Sequence, residues 1–380
     1  MTTDPLSPFS PAVRAWFESA FPEPTVAQSQ AWVPICAGEN TLLCAPTGSG
    51  KTLAAFLWAI DSLGQSAGTT SSGTSSAGTS TTGQGGVKVL YISPMRALAV
   101  DVEKNLRSPL RGVTLAAERL GVEFVAPSVG VRTGDTSATE RRSLVRNPPE
   151  ILITTPESLY LMLTSAARES LLGVNCVIVD EIHALAPTKR GAHLSLSLER
   201  LEFLIAERSN TCQPVQGSSQ IQRIGLSATQ RPLSAVAAFL GGFTPGPQVA
   251  TARPVTIVDA GMRKELELSV VVPVDDVTAP SGSAWPSMDA ELLSLIEQNQ
   301  STLLFVNARR MSERLASRLN DLALEQGSQS PESEDLVKAH HGSLSRERRL
   351  IVEDELKRGQ LKGLVATSSL ELGIDMGAVD

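Results

Sequence analysis

The chain has 380 residues, more than a single hydrophobic core usually supports, and 42% of them are hydrophobic. These values predict two folded domains and argue against a largely disordered chain. The net charge of −7 argues against a protein that coats nucleic acid by bulk attraction. The net charge is compatible with a local basic groove, because a few Lys and Arg side chains and backbone amides suffice to bind phosphates.

Targeting signals and cysteine spacing restrict the compartment. The sequence has no run of eighteen or more apolar residues, and no basic segment followed by an apolar stretch opens it. We therefore predict neither a membrane span nor a secretion signal. Cys36, Cys44, Cys176 and Cys212 are scattered and form no C-x-x-C pair. This spacing predicts no zinc site and no disulfide framework, and it favours a reducing cytoplasm.

The first part of the chain alternates short apolar runs with segments of helical spacing. The runs are rich in Val, Ile and Leu, as in strands buried on both faces of a parallel sheet. They cover residues 40–46, 87–94, 150–156, 175–181 and 222–229, with helical spacing at 51–63 and 97–106. This alternation predicts a doubly wound α/β domain over residues 1–255.

A second alternating series follows a predicted linker at residues 256–265. Its predicted strands are residues 266–274, 301–308, 337–343 and 362–369, and helical patterns begin at Met288 and Arg310. We predict a second domain of the same architecture over residues 266–380, which lacks a final strand and helix. Residues 64–86 and 280–286 are poor in apolar anchors, which predicts surface loops.

A phosphate-binding loop is predicted between the first strand and the first long helical segment. Residues 45–52 read A-P-T-G-S-G-K-T, with alanine where the first glycine of the pattern usually stands. Glycines let backbone N–H groups point at one phosphate, and the helix start adds positive potential. The alternative is a tight glycine-rich turn. The predicted ATP-binding residues are Thr47, Gly48, Ser49, Gly50, Lys51, which would reach the terminal phosphates, and Thr52, which would bind Mg²⁺.

Two adjacent acids end the fourth predicted strand, where the loops of a parallel sheet converge on a ligand. Asp180 is predicted to hold Mg²⁺ through a water molecule, and Glu181 to orient or deprotonate the attacking water. His183 follows two residues later. It is either a link between the ATP site and the contact between the lobes or an ordinary polar loop residue.

The order of the motifs resembles that of superfamily 2 helicases. The series comprises Gln28, the phosphate loop and residues 92–99, 154–159, 180–183, 227–229, 303–310 and 366–375. Residues 179–201 and 340–349 look most like the Lhr, or large helicase-related, type. The resemblance implies two tandem RecA-like lobes, the second incomplete. It also implies ATP-driven movement along single-stranded DNA, unwinding of DNA or RNA:DNA hybrid, and a role in DNA repair.

The same resemblance implies roles for individual residues. It assigns Gln28 to the adenine edge, and Gly373 and Asp375 to the nucleotide from the second lobe. Ser227 and Thr229 would couple the ATP state to the arrangement of the lobes. The residues implied to line the nucleic-acid path are Pro94, Arg96, Gly134, Thr155 and Pro156 in the first lobe, and Asn307, Thr367 and Ser368 in the second.

The arginine-bearing motif that the family places further along the second lobe has no counterpart before Asp380. Such arginines are worth about 10³–10⁵ in rate, so we expect an ATP hydrolase with weak turnover. Three other functions stay open: an RNA helicase, a P-loop ATPase that does not act on nucleic acid, and an ATP-gated nucleic-acid clamp. The oligomeric state stays open as well.

Overall fold

The computed structural model describes residues 4–69, 86–209, 221–228, 231–244, 250–261, 268–271, 285–327 and 335–367. The chain divides into two compact units, Met1–Met262 and Arg263–Asp380. Each unit contains its own parallel sheet. The predicted α/β fold with two parallel-sheet lobes is thereby confirmed.

The described part of the first unit contains nine strands: β1 Thr41–Cys44, β2 Val89–Ile92, β3 Val129–Arg132, β4 Ile151–Thr154, β5 Cys176–Val179, β6 Gln222–Ser227, β7 Phe243–Thr244, β8 Thr251–Ala252 and β9 Thr256–Asp259. Seven form a parallel sheet in the order β3-β4-β2-β5-β6-β1-β9, and β7 pairs with β8 antiparallel. Because parallel strands end at the same edge, the loops after β1, β5 and β6 lie side by side.

Helices cover both faces of this sheet: α1 Pro11–Ala20, α2 Val26–Cys36, α3 Lys51–Thr69, α4 Arg96–Leu120, α5 Ala138–Arg146, α6 Pro156–Leu163, α7 Ile182–Leu185, α8 Lys189–Ser209 and α9 Leu233–Gly241, with a 3₁₀ helix at Ala166–Leu171.

Local sequence sets the ends of several of these helices. Thr25 and Gln28 form a capping box at the start of α2. Gly121 ends α4 in the left-handed region, with φ 66°.

The core of the first unit lies on the two faces of the central strands. Alternation along β1 sends Leu42 to a cluster that contains Leu159 of α6 and Leu240 of α9. The next residue, Leu43, joins a cluster on the opposite face with Phe56 of α3. The helix that follows the predicted phosphate loop is therefore anchored to one face of the sheet.

The second unit has the same architecture on a smaller scale. Its described elements are α10 Trp285–Gln298, β10 Thr302–Phe305, α11 Arg309–Glu325, β11 Val337–His340, α12 Arg346–Lys357 and β12 Gly363–Ala366. The strands pair in parallel in the order β10-β12-β11. Leu293, Leu319 and Val365 belong to its main core cluster.

Two strands of the first sheet were not predicted, and both lie at its edges. β3 reads V-G-V-R and is only half-buried, while three of the four residues of β9 are exposed. Such short edge strands lack the continuous apolar run of a central strand. The predicted linker at residues 256–265 is wrong at its start, because β9 pairs with β1 and extends the first sheet.

Two further predictions differ from the structure. The predicted strand at residues 266–274 is wrong over its described residues, 268–271, which form no strand and expose their apolar side chains. The predicted loop at residues 64–86 is wrong at its start, because α3 continues to Thr69. Residues 70–85 of that loop lie outside the described residues, as do residues 280–284 of the second predicted loop. Helix α10 begins at Trp285.

Three of the cysteines, Cys36, Cys44 and Cys176, are free thiols, and Cys212 lies outside the described ranges. No helix in those ranges combines the length and the apolar character that a membrane crossing requires.

A buried arginine ties β6 to two helices. Arg223, 2% exposed, donates to Glu199 Oε1 and Glu202 Oε2 of α8, each at 3.0 Å. It also donates to the carbonyl of Gly241 at 3.2 Å, at the end of α9. Arg253, after β8, shares Glu199 at 2.7 Å. Because Arg223 and Arg253 share Glu199, removing one member of the cluster leaves the charge of its partners less well compensated.

We expect Arg223→Met to lower the free energy of unfolding by about 3 kcal/mol, because it removes the buried partner of Glu202 and one of the two arginines that pair with Glu199. Urea titration of the full chain, followed by circular dichroism, measures the change. Arg14→Met is the matched control, since the side chains of Arg14 and its partner Asp4 are 41% and 48% exposed; that variant should lose less than about 1 kcal/mol. Equal losses in the two variants would contradict the prediction.

Candidate functional site

The predicted phosphate loop joins β1 to α3, and its glycines adopt conformations that other residues avoid. Gly48 and Gly50 both have φ 78°. A Cβ atom at Gly50 would also lie 2.4 Å from Gln28 Nε2. The positive φ values favour glycine at both positions, which argues against an interchangeable surface turn and for a loop shaped to bind a ligand.

Lys51 is the first residue of α3 and is only 8% exposed. Its ammonium group donates to the carbonyl oxygens of Ala45, at 2.6 Å, and of Pro46, at 2.8 Å. The positive charge therefore lies against the loop itself, where a terminal phosphate would be held. Thr52 follows in the same first turn of the helix.

Gln28 is buried against the phosphate loop. Its Oε1 accepts from Thr25 N at 3.0 Å, and its Nε2 donates to Gly50 O at 3.4 Å. Thr25 Oγ1 also donates to Ser49 O at 2.8 Å. Helix α2 is thus bonded to the loop through its own capping box. The contact of Gln28 with adenine stays a prediction.

Asp180 and Glu181 follow β5 at the edge of the sheet where the phosphate loop lies. Asp180, 4% exposed, accepts a hydrogen bond on Oδ2 from the Tyr91 hydroxyl and one on Oδ1 from Glu181 N at 2.9 Å. Burial, and then the charge of Glu181, raise the pKa of Asp180 to about 6, against the opposing effects of Tyr91 and Lys51. Glu181 has φ 44°, a left-handed conformation that is unusual for a residue other than glycine.

The charge of Lys51 acts on both acids. Burial raises the pKa of the Glu181 carboxyl, and the Lys51 ammonium opposes that rise, as it does at Asp180. The sheet order β5-β6-β1 accounts for this proximity, since the two loops end strands that only β6 separates. The predicted lysine and its two acids therefore meet in one buried charged site.

His183 contacts both the acids and the residues after β6. Its Nδ1 accepts from the backbone N–H of Ala228 at 3.2 Å and lies 3.4 Å from Glu181 Oε2. Burial, and then the Lys51 charge, lower the pKa of His183, so the ring is neutral at pH 7 and Nδ1 is free to accept. Ser227 is buried, with its hydroxyl donating to Ala228 O at 2.8 Å, and Thr229 lies outside the described residues.

A second feature of the first unit is a cavity of about 400 Å³, which we call the arginine cavity. Its lining residues come from five elements, β3, α4, α5, α6 and α8, and from adjoining loops: Arg96, Arg132, Thr133, Gly134, Arg141, Thr155, Glu157, Ser158, Leu161 and Arg190. Three of the residues predicted to bind nucleic acid, Arg96, Gly134 and Thr155, are among them. Buried Pro156 begins α6 beside the cavity, and the Pro94 carbonyl accepts from Arg190.

Three arginines of this cavity were missed by the sequence analysis. Arg190 is paired with Glu157, and Arg96 with Asp135. Arg132 and Arg141 form no ion pair with any carboxylate that the structure describes. Burial, and then the charge of Arg141, lower the pKa of Arg132.

The fold therefore holds Arg132 and Arg141 close together, unneutralised, at one wall of the cavity. Arg141 is fixed there by donating to the carbonyls of Thr133 and Gly134, at 3.2 and 2.9 Å. Neither arginine stands in a sequence motif, although both lie within eight residues of the predicted Gly134.

Two predicted residues of the second unit lie at one edge of its sheet. Asn307 follows β10 and Thr367 follows β12, and these strands pair in register from Thr302↔Gly363 to Phe305↔Ala366. Asn307 lines another cavity of about 400 Å³, and Thr367 N donates to His340 O at 3.2 Å. Ser368, Gly373 and Asp375 lie outside the described residues.

Comparisons with known proteins agree with this geometry. A DEAD/DEAH box helicase model matches residues 25–236, and a helicase conserved C-terminal domain model matches residues 287–380. The chain belongs to the DEAD/DEAH box helicase family. The first match contains the phosphate loop, both acids and the arginine cavity.

Several of the similar proteins are Lhr helicases. The chain is 49% identical, over its whole length, to the Lhr helicase/probable uracil glycosylase of Mycolicibacterium smegmatis, and spans 25% of that protein. It is 40% identical to the ATP-dependent helicase Lhr-Core of Methanocaldococcus jannaschii, of which it spans 39%. The solved structure of Mycobacterium smegmatis helicase Lhr bound to ssDNA and AMP-PNP superposes with a TM-score of 0.77 at 51% identity, over 100% of this chain and 44% of that one. The predicted resemblance to the Lhr type is confirmed.

The raised pKa of Asp180 predicts a pH dependence. The carboxyl is neutral below about pH 6 and ionised above it, and a neutral acid holds a divalent cation poorly. We expect the Mg²⁺-dependent part of nucleotide affinity to be complete near pH 7.5 and to fall as pH drops through about 6. Fluorescence titration with a labelled nucleotide between pH 5 and 8 measures it. A midpoint near 4, the ordinary aspartate value, would contradict the assignment.

Proposed function

We propose that this chain is the ATP-driven motor of a nucleic-acid helicase, which couples ATP hydrolysis to movement along single-stranded DNA. The observation that carries the proposal is the meeting of Lys51, Asp180 and Glu181 in one buried site, in the same unit as the arginine cavity. The solved structure of an Lhr relative is bound to ssDNA and AMP-PNP. This supports single-stranded DNA and ATP as the ligands of this chain.

In the proposed reaction, the residues of the phosphate loop hold the nucleotide. Backbone amides around Gly48 and Gly50 would bind phosphate oxygens. The Lys51 ammonium would exchange its bonds to Ala45 and Pro46 for bonds to the terminal phosphates. Since catalysis of phosphoryl transfer is mainly positioning and charge neutralisation, a buried lysine in this place would contribute to both.

Mg²⁺ fits the oxygen donors of the site. Thr52 offers a hydroxyl at the helix start, and Asp180 offers a carboxylate whose two oxygens are each bonded to one donor and keep a further acceptor position. The ion would supply neutralisation of phosphate charge. Glu181 would orient the attacking water and take its proton, and the raised pKa of its carboxyl favours that role.

The coupling between ATP state and nucleic acid is proposed to pass through His183. The hydrogen bond that its Nδ1 accepts from Ala228 N and its 3.4 Å contact with Glu181 Oε2 join the loop after β5 to the loop after β6. A shift of Glu181 on hydrolysis would therefore reach Ser227 and Thr229. In the second unit, Asn307, Thr367 and Ser368 are proposed to bind the strand, and Gly373 and Asp375 the nucleotide.

The arginine cavity is proposed as the part of the nucleic-acid path that the first unit supplies. Arg132 and Arg141 present positive charge that no described carboxylate neutralises, and Thr155 lies at the N-terminus of α6, where free amides favour an anion. Phosphate contacts of this kind position a strand without reading its sequence. They suit a motor that must move along any strand.

We expect Glu181→Gln to keep nucleotide binding within about threefold while lowering the rate of hydrolysis by at least about 10², because general-base positioning is lost and the phosphate contacts remain. Single-turnover hydrolysis and equilibrium nucleotide binding, each measured with and without single-stranded DNA, provide the comparison. Unchanged hydrolysis would remove Glu181 from the mechanism. Stimulation by RNA alone would favour the RNA helicase alternative.

The variants Arg132→Gln and Arg141→Gln should each weaken binding to single-stranded DNA and lower the slope of log affinity against log salt by about 0.7, the contribution of one phosphate contact. Fluorescence anisotropy at several salt concentrations gives both quantities. Arg142→Gln is the matched control, because Arg142 is exposed on the same helix and does not line the cavity. If all three variants behave alike, the cavity is not the binding site.

A further inference from the structure

Tyr91 is a buried polar residue in the middle of the first sheet that none of the roles above uses. It lies in β2, is 0% exposed, and is one of two tyrosines in the chain. Its hydroxyl donates to Asp180 Oδ2. β2 pairs with β5, with Tyr91 opposite Ile178 in the register. Side chains alternate along a strand, so Ile178 and Asp180 point to the same face, the face on which Tyr91 lies.

The ring of Tyr91 also connects this carboxylate to the helix of the phosphate loop. It stacks on Phe56 of α3, with ring centroids 4.8 Å apart and an angle of 25° between the planes. Phe56 lies five residues after Lys51 and is itself fully buried. A ring held between the sheet and a helix cannot swing away from Asp180 without opening the core.

Two donors from different elements therefore fix the Asp180 carboxylate. Tyr91 holds Oδ2 from β2, and the backbone N–H of Glu181 holds Oδ1 at 2.9 Å from the loop. Phenylalanine would fill the same space without a buried hydroxyl, which costs about 1–3 kcal/mol when unpaired. The hydroxyl contributes an oriented hydrogen bond that packing alone does not require.

We propose that Tyr91 is a positioning residue, which holds the Asp180 carboxylate in the orientation that binds the Mg²⁺ of the nucleotide and links it through Phe56 to the helix that begins at Lys51. This inference rests on the role proposed for Asp180 above. Groups that orient the ligands of a metal typically change its affinity by about 10–100-fold when removed. Because Asp180 is proposed to act through a water molecule, the lower end of that range applies.

The test compares the affinity of the full chain for methylanthraniloyl-ADP in excess Mg²⁺ and in EDTA. In Tyr91→Phe we expect the affinity in EDTA to stay within about twofold of wild type and the gain on adding Mg²⁺ to fall about tenfold. A general packing defect would lower both affinities together. Tyr160→Phe, which removes the same hydroxyl from the only other tyrosine, should change neither.

An NMR measurement tests the role of Tyr91 without relying on nucleotide affinity. With only two tyrosines, the protein labelled with ¹³C at the tyrosine ζ carbon gives two NMR signals, and the one absent from Tyr91→Phe belongs to Tyr91. We expect that signal to shift when Mg²⁺ is added to the nucleotide-bound protein, while the Tyr160 signal stays in place. A stationary Tyr91 signal would overturn the proposal.

Asp180→Asn separates failure of this inference from failure of the proposed function. If Asp180→Asn loses the Mg²⁺-dependent gain while Tyr91→Phe keeps it, the positioning role of Tyr91 is wrong and the role of Asp180 stands. If Asp180→Asn keeps the gain, Asp180 does not serve the metal and both assignments are wrong. Loss of the gain in both variants, with Tyr160→Phe unchanged, supports Tyr91 as proposed.

Discussion

The attraction between buried Lys51 and two acids, buried Asp180 and partly buried Glu181, at a single edge of the sheet is the interaction on which the rest of the site depends. Burial disfavours the charged form of each acid, and it raises the pKa of Asp180 to about 6. Lys51 opposes that effect at Asp180 and Glu181. Charges interact strongly where little water reaches them. The contacts of His183 with Glu181 and of Tyr91 with Asp180 therefore affect the energy of this charged site.

Several features at this edge reduce stability in exchange for a site ready for its ligand. Glu181 is held in a left-handed conformation, which costs of order 1–3 kcal/mol for such a residue. The arginine cavity keeps Arg132 and Arg141 together although their charges repel. Away from the site, Arg223 is paired with Glu199 and Glu202, and the central strands bury their apolar side chains in the core. The regions that stabilise the fold, such as the Arg223 cluster, are thus separate from the regions proposed to bind phosphates.

The overall charge of the chain says little about this arrangement. A net charge of −7 argues against coating nucleic acid by bulk attraction, whereas four arginines line one cavity of the first unit. Glu157 and Asp135 pair with two of them, and the others stay unneutralised. A cavity with low-dielectric walls concentrates such a local field, whereas charges spread over the remaining surface are screened within about 10 Å.

The sequence by itself determined the structural features that lie within one contiguous segment. The phosphate loop is one short segment between a strand and a helix, and Asp180 and Glu181 end an apolar run, so both could be predicted from spacing. The central strands could be predicted as well, because burial on both faces demands continuous apolar residues. The resemblance to Lhr helicases rested on the same short segments and is confirmed by the relatives.

Only the tertiary structure decided the features that depend on pairing between distant segments. The edge strands β3 and β9 carry weak local patterns and exist because β4 and β1 offer hydrogen-bonding partners. The cavity that Arg132 and Arg141 line also needs Thr155, before α6, and Arg190 of α8. The bond between Tyr91 and Asp180 spans 89 residues. Such contacts have no signature in any window of sequence, because their free energy arises from neighbours that folding alone brings together.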